Sequence, residues 1–423
     1  MTERTRRDWL RVAGGVGVAG LAGCSALGGD PSGDGDDGDS DFEGVDLPLA
    51  LDDRRQSPDG LASQFRQGLR NHGHIDATVP ETVEVRWAVP ANRGDHTASK
   101  GSPMLAPPGD VLVADDTGRV QSIATDGEPN WSTSISDDAR GSHGTPAIAD
   151  GTAYVGTYDG VVSAVSVADG EILWQTDVGD AAAASPTYHE GRLYVAVEYA
   201  TPSGTVVVMD AETGDVEWRD DRPTDHPHST VAVDLERDRF LFGSNDGHVY
   251  AWSVSDRERA WTYDTGGDVK APIAVSRGIA VVPSWAETVT AVDVADGTGL
   301  WEFETDDMVM CAPAVHDGTV YVGSHDGNVY AIDLATGEEE WSSPVNGWAT
   351  GSVTATNEHV LAGSYDAHLY ALDRADGSVT WAVEGKGDVT SAPLVTDDAV
   401  YYAERAPEDS DEAGMCYKLA APE

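Results

Sequence analysis

The residues in this chain that could carry chemistry are histidines and a few bases set among many acids. The stretch "DRPTDHPHST" places His226 and His228 on either side of a proline. Imidazoles bind metals, transfer protons or contact polar ligands. The 423 residues include 74 Asp plus Glu against 26 Lys plus Arg, a formal charge of −48. Such a surface repels nucleic acid and anionic membranes, and we interpret it as the solvated surface of a protein from an extreme halophile.

A sequence repeat indicates the elements that position these histidines. Tryptophan recurs at intervals of 40 to 44 residues, at Trp87, Trp131, Trp174, Trp218, Trp261, Trp301, Trp341 and Trp381. Between them, alternating β-branched and aromatic residues are interrupted by turns such as "HDG" and "ATG", which predicts four short antiparallel strands per repeat. Repeats of this length form the blades of β-propellers. We expect the tryptophans to be structural, each packing between blades.

The predicted fold is all-β, an eight-bladed β-propeller of four-stranded antiparallel blades. The tryptophan intervals give seven blades, and the tail after Trp381 supplies three further strands. The missing outer strand is "ETVEVRW" at 81–87. Pairing this N-terminal strand with the last blade completes the ring and removes its exposed edges. The propeller is expected to cover residues 61–423.

The first 60 residues are predicted to be targeting and linker sequence. "TRRDWLRVAGGVGVAGLAGC" combines the twin arginine Arg6-Arg7, an apolar run too short to span a bilayer, and a final "LAGC". This predicts a twin-arginine signal peptide at 1–23 with a lipobox and a lipidated Cys24; an ordinary signal with an incidental cysteine is the alternative. The acidic Asp/Gly-rich segment at 24–60 is expected to be a flexible stalk. The protein would then be exported and held on the outer face of the cytoplasmic membrane by its lipid alone.

Strand direction predicts where the histidines lie. In a blade with strands A to D, the link from D to the next A and the turn from B to C lie on one face. Because strand A is innermost, the D–A links surround the mouth of the channel. Basic and histidine side chains are therefore predicted to converge there from four blades: Arg93, His96, Lys100, Arg140, His143, His226, His228 and Lys270. Polar groups gathered at a concave opening are the default ligand site.

The chemistry of this mouth has several interpretations. Its bases favour a small anionic ligand, whereas the structural alternative is that His226 and His228 only stabilise a turn around Pro227. Zinc needs three or four ligands, and His143 comes from blade two whereas His226 and His228 come from blade four, on the other side of blade three, so no metal site is predicted. No nucleophile–base pair is recognisable, so no catalytic residue is predicted.

Units such as "YVGSHDGNVYAIDLATGEEEW" resemble the pyrroloquinoline quinone (PQQ) repeat, with its Tyr-Ala-Leu-Asp and Thr-Gly-x-x-x-Trp signature. "FRQGLRNHG" at 65–73 is similar to the lead-in of such propellers. The family contains quinoprotein dehydrogenases and noncatalytic lipoproteins, such as the propeller of the bacterial outer-membrane assembly machine. If this chain were one of the dehydrogenases, the resemblance would imply PQQ held beside a calcium ion, an Asp base, and a vicinal Cys-Cys disulfide. The cysteines here are Cys24, Cys311 and Cys416, so that pair is missing.

The preferred hypothesis is an exported, lipid-anchored, noncatalytic propeller that acts as a binding or assembly platform. We expect it to be a monomer without a cofactor, and to meet a protein partner or a small anionic ligand at the mouth. One alternative is a PQQ-dependent oxidoreductase. Another is a binding protein for a small anionic solute or glycan that uses the bases and Trp348. The repeat is specific for the fold and nearly silent on function.

Overall fold

The repeat folds into short antiparallel strands. The computed structural model describes residues 63–94, 101–107, 109–396, 398–407 and 410–423. The predicted signal peptide and stalk, Cys24, His96 and Lys100 lie outside the described residues. Within these ranges there are 32 strands and one 3-10 turn at Phe65–Gln67. None of the helical structure in the described part of the chain is long and apolar enough to cross a membrane.

Eight four-stranded sheets form the eight blades, and their strands are numbered in chain order. The first strand, β1 Glu84–Pro90, belongs to the last blade. Blades one to four consist, from A to D, of β2 Met104–Ala106, β3 Asp110–Ala114, β4 Arg119–Ile123 and β5 Pro129–Ser134; β6 Ala147–Ala149, β7 Thr152–Gly156, β8 Val161–Ser166 and β9 Ile172–Asp177; β10 Thr187–His189, β11 Arg192–Glu198, β12 Gly204–Asp210 and β13 Val216–Asp220; β14 Ala232–Asp234, β15 Arg239–Gly243, β16 His248–Ser253 and β17 Arg259–Asp264.

The remaining blades repeat the same order. Blades five to seven consist of β18 Ala274–Ser276, β19 Ile279–Ser284, β20 Thr288–Asp293 and β21 Gly299–Glu304; β22 Ala314–His316, β23 Thr319–Gly323, β24 Asn328–Asp333 and β25 Glu339–Pro344; β26 Thr354–Ala355, β27 His359–Gly363, β28 His368–Asp373 and β29 Val379–Glu384. Blade eight takes β30 Leu394–Val395, β31 Val400–Ala403 and β32 Met415–Ala420 from the C-terminal end, and β1 is its outer strand.

The ring is closed by pairing between the two ends of the described chain. Strand β1 runs antiparallel to β32, from Glu84 opposite Ala420 to Pro90 opposite Met415. This pairing covers an outer edge of β32 that would otherwise present unpaired backbone groups to solvent. The prediction of an eight-bladed propeller closed by an N-terminal strand is confirmed.

Burial explains why the middle strands are continuously apolar. Each blade has another blade against both of its faces, so its middle strands have no solvent side. Strand β24 accordingly has four consecutive buried residues. The outermost strand β25 mostly alternates between exposed and half-buried residues. The apolar runs and the alternating runs in each repeat therefore report the position of a strand within its blade.

The recurring tryptophans lie on the outer strands and contact the next blade. The Trp341 indole donates a hydrogen bond to the Arg374 carbonyl at 3.0 Å. Gly377, with φ of +72°, passes so close that an added Cβ would lie 2.6 Å from the Trp341 ring, so that turn needs glycine. Six other indoles donate in the same way: Trp87 to Thr125, Trp131 to Val167, Trp174 to Ala211, Trp261 to Val294, Trp301 to Leu334 and Trp381 to Pro80. Trp218 packs instead against Phe240 and Trp252.

The channel at the centre of the ring is occupied by residues 63–75, here called the channel segment. Its groups bond to the inner strands of six consecutive blades, two to seven. The accepting groups and their donor amides are Ser63 with Ile148, the Gln64 side chain with Tyr188, Leu69 with Val233, Arg70 with Val275, His72 with Val315 and Gly73 with Ala355. Almost all of the segment is buried. The inner strands, which would otherwise have a free edge toward the channel, thus gain hydrogen-bond partners.

Two side chains of the channel segment contact the last residues of inner strands. Arg70 pairs with Asp234 at 2.7 Å. His74 stacks on His316 with ring centroids 3.6 Å apart. Asp234 and His316 each end an inner strand, next to the A–B turn. These two contacts lie toward the face opposite the D–A links. The face of the D–A links is called the mouth.

Candidate functional site

The mouth is bordered by D–A links and B–C turns, which backbone hydrogen bonds join into a rim. In blade four, the Asn245 amide donates to the His226 carbonyl at 3.1 Å, and the Val269 amide of the next link donates to the Ser244 carbonyl at 3.0 Å. Blades five to eight repeat this arrangement, with donors and acceptors Trp285 and Asp268, Val309 and Ser284, His325 and Met308, Ala349 and Ser324, Tyr365 and Trp348, Val389 and Ser364, and Arg405 and Asp388. Side chains on the rim are therefore carried by a fixed backbone.

Five of the predicted site residues lie along the rim of blades two to five and are called the charged arc: Arg140, His143, His226, His228 and Lys270. In blade two, the Arg140 guanidinium lies 4.4 Å from the centre of the Tyr158 ring. His143 meets the same ring edge-on, with centroids 4.7 Å apart. Tyr158 is thus the common contact of Arg140 and His143.

The two histidines around Pro227 contact the B–C turn of blade three. His226 Nε2 lies 2.9 Å from the Tyr199 carbonyl oxygen. His228 Nδ1 lies 2.9 Å from Glu198 Oε1. Because Glu198 is only 8% exposed, His228 is the partner of a buried carboxylate. The link of blade four is thereby fastened to blade three through both imidazoles.

Lys270 and Arg93 occupy the two ends of the predicted site. The Lys270 ammonium lies 3.4 Å from the centre of the Trp285 ring and 3.4 Å from Asp268. Burial lowers the pKa of Lys270, and the Asp268 carboxylate opposes this effect. Arg93, in the link to blade one, is exposed, and its backbone amide donates to Asp116 at 2.6 Å.

Charges in the charged arc are paired locally. Arg140 lies 3.3 Å from Asp138, and His226 Nδ1 lies 3.1 Å from Asp225. With the pairs His228–Glu198 and Lys270–Asp268, each base or imidazole among these four has a carboxylate beside it. His143, His226 and His228 do not form a metal cluster, since no group of three or more potential ligands is present among the described residues.

A second group of rim residues lies in blades six to eight and is called the aromatic arc: His325, Trp348, Tyr365 and Arg405. The His325 and Trp348 rings are stacked, with centroids 4.6 Å apart and planes 5° apart. Tyr365 packs against Trp348 at 5.3 Å, and the Arg405 guanidinium lies 5.4 Å from the Tyr365 ring. These side chains form a continuous stack along the rim.

Sequence analysis missed Tyr158 and Trp285, the rings that carry Arg140 and Lys270. A signal for them existed in the repeat. In blades two and four to seven the B–C turn begins with Ser or Thr, and the next position holds a ring in four of these five turns: Tyr158, Trp285, His325 and Tyr365. Aligning the turns by this Ser or Thr would have identified the position as one that faces the rim.

The residues on the rim do not fit the PQQ and calcium that related dehydrogenases hold. Cys311 and Cys416 are buried free thiols in blades six and eight, and burial raises the pKa of both. Cys311 Sγ lies 3.1 Å from the Gly351 carbonyl oxygen. Three of the mouth cations, Arg140, Lys270 and Arg405, are already paired with carboxylates. A quinone with several carboxylates would have to compete with those acids for each cation.

Comparison with protein families places nearly the whole propeller in one group. The profile described as "Outer membrane protein assembly factor BamB" matches residues 71–218, 159–283, 202–347 and 285–412. These overlapping matches extend from the channel segment to the last blade. The repetition of the match agrees with the repetition of the blades.

Individual relatives share shorter stretches. The outer membrane protein assembly factor BamB of Yersinia pestis is 27% identical over 166 residues, 35% of this chain and 41% of that protein. The quinohemoprotein alcohol dehydrogenase ADH-IIG of Pseudomonas putida is 28% identical over 163 residues, 34% of this chain and 22% of that enzyme. The chain thus matches less than half of the length of either relative.

The fold is shared with a solved structure of the same group. The crystal structure of BamB from Moraxella catarrhalis aligns with a TM-score of 0.64 at 16% identity. The alignment covers 80% of this chain and 100% of that one. At this identity the likeness establishes the fold and leaves function to the residues of the mouth.

Proposed function

The chain belongs to the family of the outer membrane protein assembly factor BamB, and on that premise we propose that it is a noncatalytic binding or assembly platform. The observation that carries the proposal is the hydrogen-bonded rim, in which each link of blades five to eight is bonded to two B–C turns. A surface whose backbone is already fixed loses little conformational entropy on binding. The partner we propose is a protein that contacts the mouth.

Cross-linking from defined positions tests this platform. A photoreactive amino acid would replace Lys270 or Trp348 on the rim in one set of variants. In the control set it would replace Leu173 or Val379, which are exposed on outer strands. We expect a discrete cross-linked partner from the rim positions alone. The proposal fails if the outer strands capture the same partner with equal yield.

Export and anchoring are part of the proposal and rest on the sequence. We propose a signal peptide at 1–23, a stalk at 24–60 and a propeller at 61–423, with lipid on Cys24 and a surface adapted to high salt. Cys24→Ser should move the monomeric protein from the membrane fraction to the medium. Replacing Arg6 and Arg7 together by lysine should retain the uncleaved precursor in the cytoplasm. Unchanged fractionation of both variants would contradict this part.

A quinoprotein oxidoreductase is the second candidate, because the Pseudomonas putida enzyme is 28% identical over 163 residues. The mismatch between the rim and PQQ opposes it. Denatured protein from its native host should release neither quinone nor calcium in stoichiometric amounts. Dye-linked dehydrogenase activity that appears on adding PQQ and calcium would replace the platform by this candidate.

The third candidate, a binding protein for a small anionic solute or glycan, uses the same mouth. His143→Ala combined with His228→Ala should abolish binding of such a solute while the propeller remains folded. Calorimetric titration with a series of carboxylates and oligosaccharides checks this. Unchanged affinity in the double variant would exclude the charged arc as their site.

A further inference from the structure

Trp348 is exposed in an unusual place. Its side chain is 45% exposed. The other strongly exposed large apolar residues of the described chain, Val85, Leu173 and Val379, lie on the outer strands. Trp348 instead lies on a D–A link of the mouth. An exposed indole at a fixed position on a rim is a common feature of binding surfaces.

One face of the Trp348 ring packs against a buried side chain. His325, which is 8% exposed, stacks flat against one face of the indole. His325 Nε2 lies 3.0 Å from the hydroxyl of buried Thr350. The Trp348 carbonyl accepts a hydrogen bond from the Tyr365 amide at 3.0 Å. One indole face is therefore covered by His325, while 45% of the Trp348 side chain remains exposed.

Tyr365 and Arg405 hold the indole from the side. The Tyr365 ring is tilted by 47° against Trp348. Arg405 lies over Tyr365 and pairs with Asp388 at 3.0 Å, with only 3% of its side chain exposed. The aromatic arc thus presents two ring surfaces at an angle, both backed by buried groups. Such a corner is prepared for a flat or compact ligand group.

The charge around this corner selects the kind of ligand. The links and turns of blades six to eight carry several carboxylates, among them Asp306, Asp307, Asp326, Asp366 and Asp388. Their two bases, Lys386 and Arg405, are paired with Glu412 at 2.7 Å and with Asp388 at 3.0 Å. Burial lowers the pKa of His325, so the imidazole beneath Trp348 tends to be neutral. An electron-rich ring face on a rim with acidic links and turns attracts organic cations.

We propose that Trp348 and Tyr365 form an anchor site for an arginine side chain of the protein partner. The inference rests on the proposed platform function and names the group recognised there. A guanidinium is planar, stacks on aromatic faces and is weakly hydrated. At the salt concentrations that suit so acidic a protein, exposed ion pairs are screened, whereas stacking on a ring persists. The corner is open on one side, which fits a side chain that arrives from a large partner.

Fluorine NMR of the full chain, labelled with 5-fluorotryptophan, tests the site without knowledge of the partner. The resonance of Trp348 is identified by its loss in Trp348→Phe. The probe is acetyl-Gly-Arg-Gly-amide in about 1 M KCl, where the screening length is about 3 Å. Its neutral control is the same peptide with citrulline, and tetramethylammonium represents a free organic cation.

We expect the arginine peptide to shift the Trp348 resonance saturably. The citrulline peptide should bind about fivefold more weakly, the ratio expected for loss of a cation–π contact. Thr350→Val, which frees the His325 ring, should weaken binding, whereas Leu173→Ala should not change it.

Three results would overturn the inference. They are an unmoved Trp348 resonance, equal binding of the citrulline peptide, and binding of tetramethylammonium at least as tight as that of arginine, which would assign the site to free cations. If photocross-linking from Lys270 still captures a partner when any of these results is found, the proposed platform function is retained and only the arginine site is rejected.

Discussion

The charged arc and the aromatic arc are built on the same backbone frame and differ in what they leave open. In the charged arc, His228 is turned onto Glu198, and Lys270 covers Trp285 beside Asp268. In the aromatic arc, Arg405 and His325 support Trp348 from inside, and the indole remains 45% exposed. In the charged arc, the polar side chains pair with neighbouring groups of the protein. In the aromatic arc, polar side chains pack against an apolar ring that remains exposed.

This difference shows how a repeat protein can acquire a site. The backbone bonds of the rim recur from blade to blade, so the frame does not depend on the side chain carried by each turn. The position after the Ser or Thr of a B–C turn is Asn245 in blade four, Trp285 in blade five and His325 in blade six. Substitution at this position changes the rim without cost to the frame. Four predictions test the contrast between the arcs.

The largest effect is expected at Arg405. Arg405→Met removes the ion pair between Arg405 and Asp388 inside the aromatic arc, and breaking a buried pair should lower the free energy of unfolding by about 3 kcal/mol. The matched control is Lys386→Met, whose pair with Glu412 is exposed on both sides; it should leave stability unchanged. Chemical denaturation of both variants measures the difference. Equal stability would show that Arg405 does not support the aromatic arc.

A smaller loss is expected in the charged arc from His228→Ala. Glu198 Oε1 is buried and makes no hydrogen bond within the described part of the chain, so the ion-pair contact with His228 at 2.9 Å is what compensates it. Leaving such an acceptor unpaired should cost about 2 kcal/mol. His248→Ala is the control, since its side chain is 36% exposed and Asp246 lies 3.5 Å away. If denaturation midpoints fall equally in both, the His228–Glu198 pair has no special role.

The aromatic arc should also be the more sensitive to acid. Burial lowers the pKa of His325 below its usual 6.5, with Asp307 and Asp326 opposing the shift. As the pH falls below about 6.5, the unfolded chain binds a proton at His325 more readily than the folded chain does. The stability that depends on a neutral His325 is therefore complete above about pH 6.5 and is lost as the pH falls. The free energy of unfolding should fall more in the wild type than in His325→Asn between about pH 7.5 and pH 5. A parallel fall would contradict the neutral imidazole under Trp348.

The smallest expected effect is the coupling between the arcs. Within the described residues, the ion pairs of Arg405 and His228 involve different carboxylates in distant blades, so the losses in Arg405→Met and His228→Ala should add to within about 0.5 kcal/mol in the double variant. A double-mutant cycle from denaturation curves measures this. A larger interaction energy would mean that the rim transmits strain from one arc to the other.

Much of the fold was predictable because each blade contacts the next blade through residues at matching positions of the repeat. Trp341 needs a glycine such as Gly377 in the next blade, so tryptophan and glycine recur with the period of the blade. The eighth blade followed from counting strands at the two ends. The course of the channel segment was not predictable, since Arg66 donates to Ala312, 246 residues away, and no periodic pattern indicates such a partner.

For the site, the sequence predicted the face but not the contacts. Strand alternation places His228 and Lys270 on links at the mouth, where the structure has them. Which carboxylate each one meets depends on the register between blades and on side-chain rotamers, which a single sequence does not encode visibly. Sequence analysis gave bases more weight than rings, and so left Trp348 as an accessory to the charged groups.

The channel segment also determines how the propeller would bear mechanical load. A force applied to Ser63 from its N-terminal side would act at the centre of the ring. There the channel segment is bonded to the inner strands of six blades. Such bonds share a force among them, whereas a pull on an outer strand would separate one pair of strands at a time. Strand β1 follows the channel segment in the chain. A force from the N-terminal side therefore reaches the channel segment before it reaches the pairing of β1 with β32 that closes the ring. A tethered propeller of this design could resist being peeled open at its seam.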